Sequence, residues 1–307
     1  MMTPIIEKYI GKEAFNNALK TLKGNLEFEE VFASFLNTSL TELEEDDAIY
    51  EEEGPEQRLG IPINYMTGYI KLREQGLSKI WSDFYANLVI SYDTKNAVFR
   101  CYEYVKQKDE ALALKDLDAL CSANNGDAQF KEFLIYNVSH KNYFEKSIIE
   151  VAAEYSKRYH EQIREGKTPV YAKKFASLVV QEYYHPLYCE HFAFIYDQSI
   201  QLGKDEDYAL TYAEKYAEEL VDIQRRAGIS DDEERLDFAR AKAKAYINAW
   251  EYSKANNLKN SSYFIESYEH AYLNTLFSDD LDLCNTIEEC ETIALKKAIT
   301  AYNKRMN

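Results

Sequence analysis

Glycine and proline are scarce in this chain, 10 and 5 among 307 residues. So few turn-formers leave little room for the many short loops of an all-β fold, and the helix-forming residues Leu, Ala, Glu and Lys are plentiful. Cysteine is scarce too, five in all and odd in number. Cys101, Cys121, Cys189, Cys284 and Cys290 are scattered, which predicts reduced thiols rather than a disulfide framework. Cys284 and Cys290 stand close in sequence, but on one helix they would face different ways. Long apolar runs are missing. No stretch approaches the roughly twenty residues that span a bilayer, and Met1 to Ile10, interrupted by Glu7 and Lys8, holds no signal-peptide core. Basic residues are outnumbered, 36 Lys and Arg against 53 Asp and Glu, for a net charge of −17. That balance argues against sequence-nonspecific nucleic-acid binding, which cations drive by displacing counterions from phosphate. It argues equally against docking on anionic membranes. A cytoplasmic protein is expected.

Catalytic signatures are also absent. The sequence has no His-Glu-x-x-His helix, no Gly-x-x-x-x-Gly-Lys-[Ser/Thr] loop and no Gly-x-Ser-x-Gly turn. Five histidines leave limited scope for acid–base chemistry, and abundant carboxylates are ordinary in an acidic helical protein. No cofactor is called for.

Aromatic residues, by contrast, reach 14 %, with 26 Tyr. They fall into a phrase repeated four times in register. Seven residues after Tyr69, Tyr159, Tyr196 and Tyr252 stand Gly76, Gly166, Gly203 and Lys259. Two further on are Ser78, Thr168, Asp205 and Ser261; then come Trp81, Tyr171, Tyr208 and Phe264, and four later Tyr85, Phe175, Tyr212 and Tyr268. Glycine ends a helix by taking the left-handed conformation after the last turn. Ser, Thr or Asp starts the next by accepting a bond from an orphan amide. Pro169 after Thr168 suits a first turn, and Ser230 with Glu233 reads as a further capping box. Aromatics at spacing four then share one face of the second helix, with Ala86, Ala176 and Ala213 marking close approach of a neighbour. The phrase predicts helix–turn–helix hairpins whose tyrosines fill the core.

Residues 3–22 read as one helix and a second begins near Glu27, losing its apolar stripe after Phe35. Nine acidic residues crowd positions 42–56, a pattern expected of a solvated loop. Gly54-Pro55 and Gly60-Ile61-Pro62 read as turns after it. An internal boundary is placed here, dividing an N-terminal helical segment, 1–56, from a repeat domain, 57–307. Helices are expected at about 64–75, 78–91, 94–107, 109–122, 127–138, 141–165, 169–180, 186–202, 206–227, 231–257, 262–277 and 281–304. Across 94–138 the phrase is missing, although the gap would hold one or two degenerate copies.

The Gly166 and Gly203 turns, with Tyr171-Ala172, Tyr208-Ala209, Tyr212-Ala213 and Tyr216-Ala217, carry a resemblance to the tetratricopeptide and Sel1-like class of α-helical repeats over about 64–91 and 141–277. It is a resemblance of architecture: the Trp, Leu-Gly, Tyr pattern of the tetratricopeptide repeat is not here, nor is a closing proline. The resemblance implies an all-α curved solenoid of stacked antiparallel hairpins, with a concave surface that binds other proteins.

The expected role is therefore a non-catalytic scaffold or adaptor, its partner a protein or peptide with basic surface. Tyr183, Tyr184, Tyr188, Glu190 and His191 are the candidate contacts, because this segment is aromatic, polar and unlike the repeat. Two alternatives are kept. His160, His185 and His191, with Cys189, offer imidazoles and a thiolate to a metal-dependent enzyme, but Cys189 and His191 point in different directions on a helix. The 42–56 run offers a processing site for a regulatory component of a larger complex.

Overall fold

A computed structural model describes residues 2–21, 25–46, 54–91, 94–181, 184–227, 233–277 and 286–306, with side chains described outside 223–235. Every regular element among them is a helix. In order they are α1 (Pro4–Tyr9), α2 (Lys12–Thr21), α3 (Leu26–Glu45), α4 (Pro55–Glu74), α5 (Lys79–Ile90), α6 (Ala97–Lys106), α7 (Glu110–Ala123) and α8 (Ala128–Ser139). Then follow α9 (Ile148–Arg164), α10 (Pro169–Val179), α11 (Pro186–Gln201), α12 (Glu206–Ala227), α13 (Glu233–Ala255), α14 (Ser261–Leu276) and α15 (Ile287–Met306). None is long and apolar enough to cross a membrane. The chain divides into two compact units, residues 1–154 and 155–307. Within each, helices pack on their neighbours in the chain: α3 to α8 successively in the first, α10 to α15 in the second. This is the all-α stack of consecutive hairpins that the phrase implies.

The stop–start chemistry works as the sequence predicts at three of its four sites. Gly76, Gly166 and Gly203 have φ of 87°, 81° and 75°. In each, the next amide reaches back to the helix: Leu77 to the Leu72 carbonyl (3.1 Å), Lys167 to Gln162 (3.1 Å) and Lys204 to Ser199 (3.1 Å). Two residues on, Ser78, Thr168 and Asp205 accept from the amides of Trp81 (3.2 Å), Tyr171 (3.0 Å) and Tyr208 (2.8 Å).

At the fourth site the turn slips. Asn257, not Lys259, takes the left-handed role with φ 49°, and a second left-handed residue, Asn260, delivers the chain into α14. Ser261 is consequently the first helical residue and caps nothing. The copy missing from 94–138 is also present in the structure. Asn125 (φ 52°) takes the place of the glycine, Gly126 N donates to the Cys121 carbonyl (2.9 Å), and Asp127 caps the Phe130 amide (2.9 Å). Asparagine tolerates the left-handed region because its short polar side chain bonds locally. An added Cβ at Gly166 would meet nothing within 4 Å, so substitution there tests backbone alone. Gly166→Ala is expected to cost about 1 kcal/mol and Gly166→Asn about half that, read from urea midpoints.

Other expectations are corrected. The helix foreseen over 3–22 breaks at Gly11 (φ 80°) into α1 and α2. The apolar stripe of α3 does not fade after Phe35: buried Phe28, Phe32, Leu36 and Leu40 continue it at spacing four. Glu42 to Glu45 are accordingly the last turn of a helix rather than loop. Gly54-Pro55 starts α4, and Gly60-Ile61-Pro62 lies inside it, Pro62 buried, because packing of Leu59, Tyr65 and Met66 against α3 holds the turn helical. Residues 47–53, with four of the nine carboxylates of the acidic run, lie outside the described residues, as does Ser230 of the foreseen capping box. The helix expected from 141 starts at Ile148.

Ladder rings fill the interior. Trp81, Tyr171, Tyr208, Phe264, Tyr268, Tyr216 and Tyr272 are buried, and Tyr85, Phe175 and Tyr212 are half-buried. Ala86, Ala176 and Ala213 have no exposed surface, as close helix approach requires. Two buried aspartates brace the caps. Asp116 on α7 accepts from both the amide and hydroxyl of Ser78, each at 2.6 Å, and Asp197 on α11 accepts from the Thr168 hydroxyl at 2.6 Å. Of the cysteines, Cys101, Cys121 and Cys189 are free and buried, whereas Cys290 is disulfide-bonded, contrary to the expectation of thiols throughout. Cys284 lies outside the described residues.

Candidate partner-binding site

The segment singled out by sequence opens α11. His185 caps that helix, its Nδ1 accepting from the Leu187 amide at 3.3 Å, and Pro186 fills the first turn. Tyr183 lies outside the described residues. Tyr184, 38 % exposed, stacks on Tyr188 with ring centroids 4.8 Å apart. Tyr188 itself is only 9 % exposed and packs with Cys189, Phe192, Ala213 and Tyr216. Burial raises its phenol pKa, with the carboxylates of Glu214 and Glu218 adding to the shift. Glu190 is exposed, and His191 is half-buried with its ring edge toward Tyr216 at 5.9 Å. The surface that a partner can reach here is thus Tyr184, Glu190 and part of His191. Tyr188 anchors that surface from beneath, so its truncation would open a core cavity.

The same geometry disperses the metal-ligand set. His160 is exposed and lies edge-on to Tyr159, His185 is spent on its cap, and His191 faces Tyr216. Burial pushes the Cys189 thiol up to about 11, which disfavours a thiolate ligand. Among the described residues, no group of three or more His, Cys, Asp or Glu side chains is placed to hold a metal ion.

Three clefts lie on the first unit, and α4 contributes to each of them. A cleft of about 1010 Å³ separates α2 from α4, with Ala14, Phe32, Leu59, Ile63 and Ile70 in its walls. A second, about 730 Å³, is walled by Asn64, Gly68, Tyr85, Val89, Leu120 and Ile149. The third, about 760 Å³, runs between α3 and α5 with Tyr65 in its floor. Ile61 lines the second and third and is 60 % exposed; Ile63 lines the first and is 42 % exposed.

A helix that starts at residue 64 and an α3 that fades after Phe35, as the sequence alone suggests, leave this region out. The signal was available in the four-residue spacing of Phe28, Phe32, Leu36 and Leu40, which places α3 beside α4. A polar clasp closes the far end of the pair: Arg73 Nε lies 2.9 Å from Glu27, and the Tyr69 hydroxyl donates to the same carboxylate at 2.8 Å. Arg73 first and Tyr69 second hold Glu27 below the usual carboxylate range. Comparison with protein-family models, with curated proteins and with solved structures yields no match to this chain.

Proposed function

We propose that this chain is a non-catalytic scaffold or adaptor that binds another protein, in the manner of tetratricopeptide and Sel1-like repeats. The observation that carries the reading is α4, a helix with clefts along it and exposed Ile61 and Ile63 on their rims. Consecutive hairpins hold such clefts preformed, so little ordering is required of the scaffold on binding. The net charge of −17 favours a partner with basic surface and speeds its encounter. Tyr184, Glu190 and His191 supply a second contact surface on the other unit. A cytoplasmic location belongs to this reading. The three free buried thiols favour a reducing compartment, and the bonded Cys290 favours an oxidising one.

The test is affinity capture from the native host, with the wild-type chain beside Ile61→Asp/Ile63→Asp. Both positions are exposed, so the helical circular-dichroism signal should not change. Partner capture is expected to fall by tenfold or more. Equal capture by the two proteins would overturn the role of α4, and no reproducible partner at all would overturn the scaffold.

A further inference from the structure

We infer that the groove between α3 and α5 is the docking site for one amphipathic helix of a basic partner; this rests on the scaffold reading and names the occupant. The first support is geometric. Glu30, Ser34, Thr38 and Glu42 are all exposed and follow one another at spacing four, so they form one rim along α3. From Glu30 to Glu42 this rim is about 18 Å long, three helical turns. Half-buried Val31 and Phe35 stand inside it, and Phe35 stacks on buried Tyr65 at 4.0 Å. Exposed Ile61 and half-buried Ile80 complete an apolar floor. Small hydroxyl side chains at mid-rim let another backbone approach.

The second support is charge. From Leu26 to Glu45, α3 contains Glu27, Glu29, Glu30, Glu42, Glu44 and Glu45 and not one Lys or Arg. Carboxylates in the last turn oppose the helix dipole, whose C-terminal end is negative and favours cations. Glu44 is answered by Lys8 at 2.6 Å and the Tyr9 hydroxyl at 2.7 Å. Among the described residues, Glu42 at the groove's end has no such partner, and neither does Glu30 at its start. The groove is therefore bracketed by two unanswered carboxylates with an apolar strip between them.

Its other polar groups are engaged or few. Asp83 accepts from the Tyr65 hydroxyl, Lys108 donates to the Tyr104 hydroxyl at 2.7 Å, and Lys79 stands exposed at the start of α5. The matching ligand is a helix with apolar residues at spacings of three and four, flanked by Lys or Arg about three turns apart on the side that meets α3.

The probe is a fluorescein-labelled 18-residue peptide of Leu and Lys in that pattern, titrated into the full chain and followed by anisotropy. A second peptide with Glu for every Lys is the counterpart. Saturable binding of the Lys peptide and none of the Glu peptide is expected. Glu30→Lys/Glu42→Lys should weaken it at least tenfold. Glu214→Lys/Glu266→Lys, exposed carboxylates on the second unit that change net charge equally, should leave it within twofold.

Equal loss from both pairs would mean general charge attraction and would overturn the groove. So would failure of the wild type to bind the Lys peptide, or binding unaffected by Glu30→Lys/Glu42→Lys. Native-partner capture that survives Glu30→Lys/Glu42→Lys would leave the scaffold standing while removing this groove from it.

Discussion

Trp81→Ala is expected to destabilise the first unit by about 3–5 kcal/mol, the range for removing a large buried aromatic. Trp81 has no exposed surface and sits among Leu77, Leu88, Ala113 and Leu117. It is also the first ladder ring after a cap, so its loss opens a cavity where α5 meets α6 and α7. Among the described residues, no protein group bonds its buried indole Nε1 or the hydroxyl of neighbouring Ser82. The indole therefore stabilises through its rings and not through its N–H. It follows that Trp81→Phe, which retains a ring and removes the unanswered donor, should cost only about 1–2 kcal/mol. Urea unfolding followed by far-ultraviolet circular dichroism separates the two variants. Because Trp250 lies in the second unit, its fluorescence reports whether that unit unfolds with the first. Equal losses for Phe and Ala would show that the polar end of the indole matters after all.

The second large effect is expected at Asp116, which is 1 % exposed. Asp116→Ala removes both acceptors of Ser78 and leaves that cap unsupported, an expected loss of about 2–4 kcal/mol. Asp116→Asn preserves the shape and one acceptor, and should lose about 1 kcal/mol. Burial raises the carboxyl above its ordinary 3.8, against the Ser78 hydroxyl and amide bonds that lower it. The sign of the pH dependence follows from that direction. Above 3.8 the unfolded chain gives up this proton while the folded chain retains it. Folded protein thus binds more protons, and stability falls as pH rises through the raised value. Below 3.8 the contribution is fully present. Asp116→Asn carries no such titration, so its deficit relative to wild type should narrow as pH is raised from about 4. Glu27, held low by Arg73 and Tyr69, acts in the opposite sense and cancels in that difference. Urea midpoints of the two proteins, taken across pH, measure it; a constant gap would refute the assignment.

Local chemistry made most of the helices legible. Gly-x-[Ser/Thr/Asp] is a stop and a start written within three residues, and it operates at Gly76, Gly166 and Gly203 as read. At Asn124-Asn125-Gly126-Asp127 the turn and cap are legible but not as a copy of the phrase, and at Lys259 the turn is misplaced, because asparagine also enters the left-handed region and no residue type alone says which asparagine will. Tyr188 shows the same limit for a site. As part of an aromatic, polar segment it looked like a contact, yet its ring lies in the core, because only the packing of α11 against α12 decides which side of a helix is inside.

Helix content, turn positions and the inward ladder were determined by the order of side chains along the chain, since each depends on neighbours a few residues away. The partnership of Asp116 with Ser78, the passage of α4 through Gly60-Ile61-Pro62 and the groove between α3 and α5 were decided only by tertiary structure. Each joins residues far apart in sequence, or overrides a local preference with the burial of apolar surface.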